Sequence, residues 1–370
     1  MTADTVGGVW NYALELVGAL APHGVEVVLA TQGEAPSPAQ RREAERLPNL
    51  TLTSGLFKLE WMRSPWQEVA QAGEWLLELE RQWRPDLIHL NGYVHGALPW
   101  RSPVLVVGHS CVLSWWRAVR GEEAPSDWDR YRREVRRGIE AADCVVAPTV
   151  AMLDSLRHDY GPFRHGKVIP NGRNPALFAP SKKVPFILTA GRLWDEAKNI
   201  GQLDRIASTL PWPVCVAGES FHPDRWEVRF DALQPLGRLD PPALARWLSE
   251  ASIFALPARY EPFGLLPLEA ALSGCALVLG DLPSLREVWG DAALFVPPDN
   301  AEALRETLLR LIGDPPFSES MGRRAQRRAR RYTPERMAAE YSALYGEMLA
   351  RHGASREGNK AALTPHASSK

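Results

Sequence analysis

Short apolar, β-branched runs alternate with amphipathic segments along almost the whole chain, and this alternation restricts the fold more than any other feature. The runs fall at 25–31, 86–90, 104–108, 144–147 and 167–169, then at 186–190, 214–217, 253–256, 276–279 and 294–296, with helical stretches such as 242–250 between them. Continuous apolar strands joined by helices imply an α/β protein whose parallel sheets are covered on both faces. In such sheets ligands gather at the carboxyl ends of the strands.

At 370 residues the chain exceeds the roughly 250–300 residues beyond which one core tends to split, so two domains are expected. The reading places a Rossmann-like domain over 1–180 and a second over 181–332, joined near Ala179-Pro-Ser-Lys-Lys183 and facing each other across a cleft. Thr333-Pro-Glu335 is a helix start, with a hydroxyl N-cap followed by proline, and predicts a C-terminal helix over 333–351. Residues 352–370 are polar and small and read as a disordered tail.

Forty-three Lys and Arg against 44 Asp and Glu leave no global field to attract nucleic acid. Any anion site must therefore be local. Cys111, Cys144, Cys215 and Cys275 are scattered without a C-x-x-C pair, which reads as reduced, buried thiols and a cytoplasmic location. No run approaches the roughly 18–20 apolar residues of a membrane span, and no signal peptide is recognisable at the start. The basic cluster at 323–331 reads as a solvated helix face, with a basic binding surface as the alternative.

Two segments carry chemistry. In Glu261-Pro-Phe-Gly-Leu-Leu-Pro-Leu-Glu269, two carboxylates bracket a glycine turn and a helix start. The peptide N–H groups of Phe263, Gly264, Leu265 and Leu266 come at that helix N-terminus, where an anion is favoured. Glu269 lies in apolar surroundings and needs a partner if buried. Upstream, Gly191-Arg-Leu-Trp-Asp-Glu-Ala-Lys198 follows an apolar strand and contributes Arg192 and Lys198, which suit a departing diphosphate.

Together these segments resemble the donor site of retaining glycosyltransferases of the GT-B fold, family 4 (glycosyl transferases group 1), with its Glu-x7-Glu signature. The resemblance covers nearly the whole chain. It implies a nucleotide-sugar donor and an unidentified hydroxyl acceptor, with no cofactor and no metal; no D-x-D motif stands in a suitable loop. Glu261 is implied to meet the donor sugar's hydroxyls and Glu269 the ribose hydroxyls. Gly218 and the Gly237-Arg238-Leu239 turn resemble segments that hold the base. Gly7 and Gly8 resemble the glycine turn that closes over the donor phosphates from the opposite domain, and His109, at a strand end, the histidine beside the sugar's reactive face, orienting a hydroxyl.

His89, Asn91, Tyr93 and His95, with Trp115, are candidates to shape the acceptor pocket. Trp115-Trp116-Arg117 and the stretch 128–133 suit a lipid-linked acceptor or peripheral membrane contact, and a solvated helix face explains them equally well. The family's C-terminal helix packs back on the N-terminal domain. Its first strand precedes the glycine pair, whereas this chain opens on Met1-Thr-Ala-Asp-Thr-Val-Gly-Gly with no apolar run, so that strand is expected to be missing through a start assigned too far downstream. The implied chemistry is front-face displacement. The alternatives are a GT-B epimerase, which needs no acceptor, and a catalytically silent nucleotide-sugar-binding protein.

Overall fold

The computed structural model describes residues 1–5, 7–221 and 227–362, with side chains described as far as residue 354. Its strands are β1 (Thr2–Asp4), β2 (Val27–Gln32), β3 (Leu50–Ser54), β4 (Ile88–Leu90), β5 (Val104–Val107), β6 (Cys144–Ala147) and β7 (Gly166–Val168) in the first half. In the second they are β8 (Val184–Arg192), β9 (Val214–Glu219), β10 (Gln234–Gly237), β11 (Ala251–Leu256), β12 (Ala276–Gly280) and β13 (Leu294–Val296). Neighbouring strands are parallel throughout, in the orders β3-β2-β1 with β4-β5-β6-β7, and β10-β9-β8-β11-β12-β13.

Asn91, just past β4, donates from its backbone N–H to Thr2 Oγ1 at 2.9 Å and from its side-chain amide to the Thr2 carbonyl at 2.7 Å. These bonds set β4 beside β1. The strand order therefore reverses between β1 and β4 in one half and between β8 and β11 in the other. Crossovers leave on opposite faces at such points and open a crevice at the strands' carboxyl ends. The glycine turn and Asn91 occupy one crevice; Arg192 and Glu261 occupy the other.

Three expectations change. The first strand is present, because Thr2–Asp4 itself pairs with β2 and buries Ala3; three residues are too few to show as an apolar run. The final helix is Pro334–Ala362, so residues 352–362 are helical rather than disordered; no proline interrupts the segment, and its Ala, Arg, Glu and Lys favour helix. Residues 363–370 of the expected tail lie outside the described residues. β3 and β10 also went unread, since neither is an apolar run: one alternates Leu and Thr, and the other is a largely exposed edge.

The second half folds around one core spanning β8 to β13 and their helices. The first half has a core on each face of its sheet, one of them completed by Met337, Tyr341, Leu344, Tyr345 and Met348 of the final helix against helix Gly8–Leu20. The chain crosses between halves twice, and the crossings touch: Arg173 N–H donates to the Tyr332 carbonyl at 3.0 Å. All four cysteines are buried and free. No helix among the described residues is long and apolar enough to cross a membrane.

Candidate active site between the two sheets

On the C-terminal side, β8 ends in Gly191-Arg192 and the chain turns through Asp195, whose carboxylate accepts from Ala197 N–H at 3.0 Å. Asn199 pins the turn by donating to the carbonyls of Pro257 (3.0 Å) and Pro298 (2.7 Å). This brings Lys198 Nζ to 2.7 Å from Glu261 Oε2, with both side chains largely enclosed. Arg192 lies 2.7 Å from Asp195 and over the Trp194 ring, yet remains accessible at 42% exposure. Burial pushes the Asp195 carboxyl up, but Arg192, Lys198, the Ala197 N–H and the Trp115 indole together outweigh it and hold the carboxyl below its ordinary value.

Gly264, in the left-handed region at φ 89°, turns the chain from Glu261 into helix Leu265–Leu272, and Ser284 ties that turn by donating to the Glu261 carbonyl at 2.6 Å. Phe263 is buried, Leu265 and Leu266 half-buried. The first N–H groups of a helix have no intrahelical acceptor, and here they follow Glu261 by only a few residues. Gly218 ends β9 so close to β8 that an added Cβ would stand 1.8 Å from the Gly191 carbonyl oxygen; its place is explained by strand packing. Arg238 is exposed and Leu239 half-buried on the turn after β10.

The partner that Glu269 requires is Arg173, in Asn171-Gly-Arg-Asn174. Its guanidinium lies 2.8 Å from Glu269 and 2.8 Å from Glu15 on helix Gly8–Leu20. Burial raises the Glu269 carboxyl above its ordinary value, and Arg173 partly restrains it. Arg173 carries no signal in the sequence, because an arginine in a connecting segment belongs to no periodic pattern.

On the N-terminal side, Gly7 caps helix Gly8–Leu20, and a Cβ at Gly8 would meet Leu265 Cδ1 of the opposite half at 3.2 Å. His109, just past β5, places Nε2 2.8 Å from Asn91 Oδ1 and its ring against the edge of Tyr12 at 4.5 Å. Burial lowers its pKa to about 4, so the imidazole is neutral. Several bonds cross the cleft: Cys111 N–H to Tyr260 Oη (2.9 Å), Trp115 Nε1 to Asp195 Oδ1 (3.2 Å), Arg120 to Glu196 (2.7 Å) and Thr149 Oγ1 to the Pro262 carbonyl (2.9 Å). The two crevices are thereby held face to face.

Three acceptor candidates are corrected. His89 is 3% exposed, beneath the final helix, with Nδ1 2.7 Å from Tyr345 Oη. Tyr93 is buried and donates to the Ser110 carbonyl at 2.7 Å, and His95 bonds the Val69 carbonyl at 3.0 Å. The cause is local: the chain after β4 coils into a 3₁₀ turn, Val94–Ala97, pressed so tightly on helix Asp129–Ala141 that a Cβ at Gly138 would stand 1.9 Å from the Tyr93 carbonyl oxygen. Asn91 stays at the crevice with His109, and Trp115 reaches across the cleft to Asp195. Glu60, not singled out in the sequence, receives the N–H groups of Tyr93 (3.1 Å) and Val94 (3.0 Å).

Two parallel sheets with their reversal points facing each other across a cleft are the arrangement of the GT-B fold. The model for Glycosyltransferase Family 4 matches residues 6–177, and that for Glycosyl transferases group 1 matches residues 174–328. A D-inositol 3-phosphate glycosyltransferase of Jonesia denitrificans is 31% identical over 398 residues, covering 92% of this chain and 91% of that protein. Sucrose-phosphate synthase from Thermosynechococcus elongatus superposes with a TM-score of 0.79 at 20% identity, over 95% of this chain and 96% of that one. Anabaena Alr3699/HepE, in a complex with UDP-glucose, gives 0.72 at 17% identity, over 95% and 98%. The chain belongs to glycosyltransferase family 4, the group 1 glycosyl transferases.

Proposed function

We propose that this glycosyltransferase moves a sugar from a nucleotide-sugar donor to a hydroxyl acceptor with retention of anomeric configuration. The observation that carries the reading is the ion-paired group of Arg192 with Asp195 and Lys198 with Glu261, the latter 2.7 Å apart, beside the turn that leads into helix Leu265–Leu272. A guanidinium, an ammonium and free helix N–H groups stabilise the negative charge that grows on a departing diphosphate, and we assign that task to them rather than to a metal. The similarity of fold to a protein solved with UDP-glucose supports a nucleotide-sugar donor.

In front-face displacement the acceptor oxygen bonds to the anomeric carbon on the face from which the diphosphate leaves. The bond from that carbon to the phosphate oxygen breaks, and the acceptor proton passes to the leaving phosphate. We assign Glu261, held by Lys198, to the sugar's hydroxyls and Glu269 to those of the ribose. Four buried free thiols support a reducing, cytoplasmic setting.

The test is to incubate the protein with a panel of nucleotide sugars and acceptors and to read the new linkage by NMR. A product with the donor's anomeric configuration is expected. An inverted product would overturn retention; an epimerised sugar without acceptor would favour the epimerase alternative; binding without turnover would favour a silent binder.

A further inference from the structure

We propose that Asn91 is a positioning residue that locks His109 in the Nε2–H form, leaving Nδ1 as a pure hydrogen-bond acceptor that selects a hydroxyl group of the bound sugar. The inference follows from donors and acceptors taken in order along three strands. The Thr2 carbonyl in β1 only accepts, so the Asn91 NH₂ must face it, at 2.7 Å. The backbone N–H of Asn91 donates to Thr2 Oγ1 at 2.9 Å and fixes the residue a second time. Oδ1 of Asn91 is then the atom 2.8 Å from His109 Nε2. An amide oxygen only accepts, so Nε2 carries the proton.

In a neutral imidazole the other nitrogen then holds a lone pair. No hydrogen bond engages Nδ1 among the described residues; the ring packs on Tyr12 at 4.5 Å, and the nearby His89 interacts with both His109 and the Asn91 side chain. A lone pair attracts the proton of a hydroxyl and repels the oxygens of a phosphate or carboxylate. His109 in this form orients a sugar hydroxyl and has no Nδ1 proton to give to a leaving group. The assignment of that hydroxyl to a sugar rests on the proposed function; the tautomer does not.

The experiment is ¹⁵N NMR of histidine-labelled full-length protein, with the His109 signals identified by their loss in His109→Gln. Expected is a protonated, pyrrole-like Nε2 and an unprotonated, pyridine-like Nδ1 near neutral pH. The reverse assignment overturns the inference with no variant of Asn91 needed. In Asn91→Asp a carboxylate replaces the amide and stabilises the imidazolium, so the histidine shifts should titrate at higher pH than in the wild type, and turnover should acquire an acid limb as Nδ1 becomes protonated. Asn91→Ala frees the ring, and kcat should fall on the order of 100-fold with donor KM little changed. An Asn91→Asp variant with wild-type histidine titration shows a merely structural asparagine and overturns the inference. Absence of any transfer by wild-type protein sinks the proposed function instead and is distinguishable, because the tautomer is read without turnover.

Discussion

Arg173 and Glu269 lie 2.8 Å apart inside the protein, and the same guanidinium holds Glu15 of the opposite half at 2.8 Å, so one cation from the crossing segment serves a carboxylate of each domain. Burial raises the pKa of both carboxyls. Removing the cation strands two buried acids, and breaking a buried pair in this way costs about 3–5 kcal/mol. Arg173→Met should lose about that much stability in urea titration near neutral pH, with part of the loss recovered at acid pH as the carboxyls take protons. Glu15→Gln, which removes one acid and leaves Arg173 on Glu269, should lose markedly less.

Lys198 and Glu261 form an enclosed pair at the crevice of the second half. Lys198→Ala should lower kcat by about 100- to 1,000-fold, the range for losing one charge-stabilising donor, while unfolding stays cooperative. Glu261→Ala should abolish transfer, again with cooperative unfolding. Near-normal turnover in either variant would remove the assignment.

Glu60 ties stability to pH. Its carboxylate is enclosed beneath the 92–94 turn even though the residue keeps some surface, and burial raises its pKa from 4.5 to about 7. Between these values the folded state holds a proton that the unfolded chain has released, so stability falls as pH rises through this window and levels off above it. The span corresponds to roughly 3 kcal/mol at about 1.4 kcal/mol per unit. Glu60→Gln keeps an acceptor for Tyr93 and Val94 N–H and should flatten this part of the profile; Tm of both proteins at pH 5 and pH 8 checks it.

Gly218 is fixed by contact as well as conformation, with φ at +147° and the Gly191 carbonyl oxygen in the space a methyl group would need. Gly218→Ala should force β8 from β9 at the base of the Arg192 turn. A loss of about 1–3 kcal/mol is expected, with nucleotide-sugar affinity falling in parallel because Arg192 moves with its strand.

The two-domain α/β plan was legible because ten of the strands coincide with short, mostly apolar runs, the pattern of strands buried in a parallel sheet. The crevice of the second half was legible as a cluster because its residues lie in two short segments, Gly191–Lys198 and Glu261–Glu269, at the ends of such runs. β1 escaped because three residues pair without an apolar run. His89, Tyr93 and His95 were misplaced because nothing in their order shows that the chain after β4 coils inward against Gly138. Arg173 and Glu60 were invisible for a related reason: each acts through partners far off in sequence, Glu15 and Glu269 for one and the Tyr93 and Val94 amides for the other.

The final helix covers Tyr12 and His89 with Tyr341 and Tyr345, so the half of the molecule that leaves the ribosome first is closed by residues made well after it. At about 5–20 residues per second, the first half waits on the order of ten seconds with this aromatic face uncovered. During that interval the nascent chain offers chaperones and proteases a surface that the finished enzyme hides. A messenger truncated anywhere ahead of Pro334 would leave that surface open for the life of the product.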